Sequence, residues 1–137
     1  MAFDGSQVIN GTHGELWCNG LQWANVKASQ GKIDKNKETF NIAGRMMEVH
    51  KLISTTGKGS VTVFKIDSEI QQMELEALNE GKELKHTIIS ALKDPNAKHE
   101  RVVYEGVSFD DITLSDWEVA KLGEVELPFT FEKAYYL

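Results

Sequence analysis

The run "EVELPFTFE" (124–132) alternates without a break. Val125, Leu127, Phe129 and Phe131 fall on one side, and Glu124, Glu126, Pro128, Thr130 and Glu132 on the other. A period of two sustained over this length requires a β-strand with one face on a core and one in water or on a partner. A helix would scatter the same apolar residues around its axis. Pro128 has no N–H to give to a ladder, so the strand lies at a sheet edge or carries a bulge there.

The rest of the chain supplies elements to pair with it. In "GELWCNGLQWANV", Asn19-Gly20 stands between two apolar-rich runs and suits a two-residue type I′ turn. That turn sets Cys18 opposite Leu21 and Leu16 opposite Trp23, all on one face. Trp17 and Val26 point to the other face, so the hairpin is expected to be covered on both sides. Residues 27–42 are polar and weakly alternating, consistent with a strand that has one wet face, with Ile33 and Phe40 as anchors. Residues 41–59 are punctuated by glycine and suggest a long extended loop, after which "SVTVFKI" is β-branched and strand-like. One helix is expected over about 67–80. Asp67 or Ser68 supplies the N-cap, Gln71 completes a capping box with Ser68, and Gly81 ends it. Its apolar face would be Ile70, Met73, Ala77 and Leu78. Strands resume at "HTIISAL" (86–92) and "ERVVYEGVSF" (100–109), separated by a turn at "DPNAKH". The pattern predicts an α+β chain, mostly antiparallel β: a small β-sandwich or open barrel with one flanking helix, folded as a single domain over 1–137.

Charge is segregated. Net charge is −6, yet residues 26–65 hold eight Lys/Arg against three Asp/Glu, while residues 100–137 hold three against nine. The overall sign argues against adhesion to nucleic acid or to an anionic membrane. The segregation suits either a solvated surface with no partner or a molecule whose basic side meets the acidic side of its neighbour. One cysteine, Cys18, excludes an internal disulfide framework. No apolar run approaches the roughly 18 residues that span a bilayer. The first residues show no charged leader with an apolar core, so synthesis and folding in cytoplasm are expected.

Chemistry is hard to find. "TTGKGS" (55–60) looks like the end of a phosphate-binding loop, but Leu52 stands where the first glycine belongs, and a strand rather than a helix follows. His13, His50, His86 and His99 have no helical metal-site spacing and are expected at the surface or half-buried. The acidic stretch from Asp110 to Glu118 lacks the spacing and glycine of a calcium loop. Trp17, Trp23 and Trp117 have no basic groove around them and are expected in the core. Catalytic residues, cofactors and metals are therefore all expected to be absent.

The central block "DKNKETFNIAGRMMEVHKLISTTGKGSVTVFKIDSEI" resembles the tail tube proteins of PBSX-type phage-like elements and contractile-tailed phages. The resemblance rests on "KNK" (35–37), "NI.GR.M" (41–46), "HK" (50–51), the glycines at 57 and 59, and "T.FK..S" leading into the helix. The opening "ING..GELW.NG" and the closing "EVELPFTFE" extend it over nearly the whole chain. It implies a structural subunit: homo-hexameric rings with a continuous inner β-barrel, stacked into a hollow tube inside a contractile sheath. The implied partners are further copies of the chain, a sheath protein, and tape measure and baseplate proteins. DNA enters only as a transient passenger if the particle is a phage rather than a bacteriocin, and no stable membrane association is implied. Such a subunit assembles in the bacterial cytoplasm and leaves within a released particle. The 41–59 segment becomes an arm reaching a neighbouring subunit through Arg45, Met46, Met47, His50, Lys51, Leu52 and Lys58. The alternatives are the related inner tube of type VI secretion and a monomeric β-barrel module that binds a small ligand.

Overall fold

A computed structural model of the chain describes residues 4–137. Its strands are β1 (Gly14–Cys18), β2 (Leu21–Gln22), β3 (Val26–Phe40), β4 (Val49–Phe64), β5 (His86–Leu92), β6 (Glu100–Phe109), β7 (Glu124–Phe131) and β8 (Lys133–Tyr136). One helix, α1 (Glu69–Asn79), lies between β4 and β5. The strands run in the order β2-β1-β5-β6-β7-β4-β3, antiparallel throughout, with β8 beside β6. The sheet does not close. It turns a corner in β6, which pairs with β5 and β8 and then, past Gly106 at φ 65°, crosses to β7 through Ser108 and Phe109. The bend folds the two halves over one core of Leu16, Cys18, Val61, Val63, Ile88, Tyr104, Val107 and the apolar face of β7. This is the small α+β sandwich expected from the sequence.

Strand β7 behaves as its alternation requires: Val125, Leu127, Phe129 and Phe131 are buried and Glu124 and Glu126 exposed. Its register against β4 explains the glycines of "TGKG". Phe131 lies opposite Gly57 and Phe129 opposite Gly59. A Cβ on Gly57 would run into the Phe131 ring. One on Gly59 would sit 2.5 Å from both the Phe129 ring and the Gln30 carbonyl oxygen. Gly31, paired with Gly59, similarly lies beneath the Tyr104 ring. Three bare strand positions thus seat three aromatic rings, whose centroids are 4.9–6.2 Å apart. The glycines lie within strand β4 and mark neither a phosphate loop nor a turn.

Helix α1 starts and stops where its sequence signals place it, but the expected capping box does not form. Ser68 occupies the N-cap but its side chain makes no capping bond; the Asp67 carboxylate accepts from the Glu69 N–H instead (3.3 Å). Gly81, at φ 72°, closes the helix, its N–H donating to Leu78 O and that of Lys82 to Ala77 O. The buried face is Gln71 and Ala77 with Ile70 beside them, whereas Met73 and Leu78 remain exposed. A buried polar chain ties the helix to the sheet. Asn19 Nδ2 donates to His86 Nδ1 (2.8 Å), and His86 Nε2 donates to Glu74 Oε1 (2.6 Å). His86 is therefore a core residue, against the expectation of a surface histidine, and its ring also packs on Phe109 at 5.0 Å.

The Asn19-Gly20 hairpin has the expected register, with φ of 53° and 84° at the turn. Leu16 and Cys18 are buried, while Leu21 is exposed. Trp17, on the opposite face, lies between Lys93 and Arg101, each 5.4 Å from a ring centroid. Burial first, and the Glu74 carboxylate second, push the Cys18 thiol up to about 11. At pH 8 Cys18 is expected to resist Ellman's reagent until the chain unfolds, so labelling should track the denaturation curve. Rapid labelling of the folded protein would contradict that burial.

Candidate assembly surfaces

Beyond the core, β3 and β4 continue as a two-stranded arm. Pairing of β4 with β7 ends at Gly57–Phe131, yet β4 and β3 stay paired out to Val49–Phe40. Residues 49–56 alone carry the arm roughly 25 Å past the sandwich. The extended loop expected over 41–59 is therefore confined to 41–48, and 49–59 is strand. Its polarity hid it: with both faces wet, neither side shows an apolar row. For the same reason Ile33 and Phe40 are not anchors within the chain. Both are exposed, and a bulge between Asn36 and Lys37 leaves Ile53 as an extra, exposed residue.

The predicted arm residues separate along this hairpin. Arg45, Met46 and Met47 stand at the tip, where the Arg45 N–H donates to Ile42 O across a turn containing Gly44 at φ 84°. Met46 and Met47 are 103% and 81% exposed, so they contribute nothing to the chain's own core. His50, Lys51 and Leu52 lie on the shaft opposite Thr39, Glu38 and Lys37. Lys58 lies apart from them at the root, paired with Lys32 on one side and Thr130 on the other.

Other surfaces are unfinished in the single chain. Strand β3 ends the sheet order, so its outer edge presents backbone N–H and C=O groups with no partner strand among the described residues. On β7, only Phe129 and Thr130 pair with β6, which leaves the edge over Glu124–Leu127 without one. Beside that edge is an acidic notch of about 450 Å³ lined by Asp111, Asp116, Glu124 and Glu126. The loop after β6 exposes Leu114, Trp117, Val119 and Leu122, so Trp117 is a surface residue and not the core residue its composition suggested. The face of β3–β4–β7 turned away from the core is hydrophilic, carrying Gln30, Ser60, Thr62, Thr130 and the Lys32–Lys58 pair. Sequence reasoning missed the groove between the β1–β2 turn and α1. It encloses about 440 Å³ against Leu21, Trp23, Ile66, Ile70, Gln71 and Met73.

Among the described residues no three His, Cys, Asp or Glu side chains are grouped as metal ligands, and no helix is long and apolar enough to cross a membrane.

Known proteins carry the same architecture. A family model described as phage tail tube protein matches residues 1–137. The phage-like element PBSX protein XkdM of Bacillus subtilis (strain 168) is 31% identical over 135 residues, covering 96% of this chain and 92% of that one. The tube-terminating cap of the anti-feeding prophage superposes with a TM-score of 0.76 at 8% identity, covering 100% of this chain and 94% of the cap protein. A chain of the sheath–tube complex of an extracellular contractile injection system, in its extended state, gives 0.70 at 10% identity over 99% of both chains. At such identities the superpositions speak to the fold, and the family rests on the sequence matches. An open antiparallel sandwich with one helix and a projecting two-stranded arm is thus accounted for: the chain belongs to the phage tail tube protein family.

Proposed function

We propose that this chain is the repeating subunit of the inner tube of a contractile tail, six copies closing a ring and rings stacking into a hollow cylinder within a sheath. The observation that carries this is the pair of unfinished strand edges on opposite sides of one sheet. The β3 edge carries Lys32, Lys35 and Lys37 against Asp34 and Glu38, and the β7 edge adjoins the acidic notch, where Glu124 is already paired with Lys27 of the same chain at 2.9 Å. Strand addition of β3 to the β7 of the next copy satisfies both edges and pairs the opposite charges. One surface meeting a different one propagates around a ring, as a heterologous contact must. The hydrophilic face of β3–β4–β7 then turns inward and keeps the bore wet, so that DNA, if the particle is a phage, passes without a dry contact. The exposed apolar loop around Trp117 is the surface offered to a sheath protein. Tape measure and baseplate proteins meet the tube at its bore and end. Assembly takes place in the bacterial cytoplasm, and the tube leaves within the particle.

The arm is the contact between subunits, made by Met46, Met47 and Leu52 with Arg45, His50 and Lys51, while Lys58 stands at its root. Negative-stain electron microscopy of the purified protein should show rings or tubes of constant bore. Met46→Asp with Met47→Asp should abolish tubes and leave the circular dichroism spectrum and thermal midpoint of dispersed subunits unchanged, because neither side chain packs within the chain. A protein that stays monomeric at every concentration would refute the reading.

A further inference from the structure

The groove between the β1–β2 turn and α1 is apolar, open and incomplete. Leu21, Ile66 and Met73 line it while remaining exposed. Among its lining residues Gln71 is 5% exposed, and its side-chain Oε1 has no hydrogen-bond donor among the described residues. An amide oxygen buried without a donor beside an apolar cleft gains from an incoming N–H group that the side chain turns to meet, because leaving such an acceptor unpaired is costly. Among the charged lining residues Asp67 and Glu69 outnumber Lys65.

We propose that this groove is the receptor for the arm tip of another copy of the chain, in the next ring along the tube. The inference rests on the tube reading and specifies how rings engage. The tip has the matching chemistry: Met46 and Met47 project from a glycine turn, and Arg45 and Lys51 outweigh Glu48. Methionine suits such a contact, since its unbranched chain adapts to an irregular cleft. Backbone N–H groups of the 41–48 turn and the Arg45 guanidinium supply donors for Gln71. The layout excludes self-docking. Ala24, Asn25, Lys65 and Ile66 in the groove flank the start of β3 and the end of β4, whereas the tip joins the end of β3 to the start of β4. Knob and hole thus sit at opposite ends of one hairpin, roughly 45 Å apart along the strands. A copy displaced along the strand direction brings its tip to the groove of the first and leaves its own groove open for a third. That head-to-tail contact does not close and therefore extends a stack.

Charge reversal and cross-linking test this on the full-length chain. Arg45→Glu should reduce sedimentable tubes at least tenfold at constant protein concentration. Asp67→Lys with Glu69→Lys should do the same, and the combined variant should recover most of the wild-type yield. Oxidation of tubes carrying Met47→Cys and Ile66→Cys should give a covalent ladder running beyond six subunits on non-reducing gels. Each single variant, with Cys18 retained, should give none. Wild-type tube yield for Arg45→Glu, or tubes of the double-cysteine variant with no ladder, would overturn the docking while leaving the tube reading intact. If Ile66→Asp spared tubes but prevented sheath from binding them, the groove's occupant would be the sheath and the proposal would fail. A wild-type protein that forms no rings or tubes would overturn the tube reading itself.

Discussion

Gly59→Ala is expected to lower the unfolding free energy of the dispersed subunit by about 3 kcal/mol, the upper part of the range for overpacking a closed site. Strand propensity alone predicts the opposite, since glycine weakens a strand interior and alanine restores a side chain. Packing decides the sign. The added Cβ would lie 2.5 Å from the Gln30 carbonyl oxygen, which the β3–β4 ladder holds in place, and equally close to the buried Phe129 ring. A flexible side chain could step aside; a strand carbonyl and a core ring cannot do so without disturbing β3 and the core together. Gly11→Ala is the control, because a Cβ there meets nothing within 4 Å, and it should be near neutral. Chemical denaturation checks both, using subunits kept below the concentration at which they assemble, since association would add its own stability. A stabilised Gly59→Ala would mean that β4 and β7 are not paired in this register.

Phe129→Ala is expected to cost about 4 kcal/mol, within the usual span for truncating a buried phenylalanine. The residue is 1% exposed and lies against Tyr104 and Phe131, with ring centroids 5.9 and 6.2 Å away. Removing it empties the centre of the core and uncovers Gly59. The two substitutions should therefore couple. In the Phe129→Ala background Gly59→Ala should cost less than it does alone, because one of its two obstacles is gone. The remaining penalty then reports on the Gln30 carbonyl. Strict additivity would show that the ring and the glycine do not share a site.

The sequence disclosed those parts of the fold in which one face is dry. Strand β7, the Asn19-Gly20 hairpin, β5 and β6 all lie where their patterns placed them, because burial on one side writes a period of two into the residues. Of the arm, β3 was legible as a strand over 27–42, but the outer half of β4 was not, for the converse reason. The arm's residues meet solvent on both sides in the single chain, so Lys, Thr, Ser and Asn alternate with nothing to mark a face. The glycines at 57 and 59 are instructive in another way. The glycines at i and i+2 suggest the end of an extended loop, although the phenylalanines at 129 and 131 have the same spacing and seat on them. Only the register of β4 against β7 connects the two pairs, and pairing register is not local information. His86 escaped for a related reason, since its partners Asn19 and Glu74 come from a turn and a helix that are distant in the chain. The methionines at the tip, Met46 and Met47, are exposed as an arm residue must be, but the groove beside α1 was not legible. The groove is assembled from five elements, β1, β2, β4, α1 and β7, and has no motif of its own.

The two-stranded width of the arm has a kinetic consequence. An unsupported hairpin is marginally stable in water, and beyond Gly57 this one holds its shape by β3–β4 pairing alone. A free subunit thus carries an arm that frays and re-forms, and its amides should exchange hydrogen far faster than those of the core. Capturing the tip fixes many residues at once, an entropy loss that the first contact between two rings must bear with little in return. If rings engage through the tip as proposed, starting a stack is therefore slow, while adding to an existing row of receptors is fast. On the proposed reading the purified chain assembles only after a lag, and a template that presents such a row removes the lag and sets the end from which the tube grows.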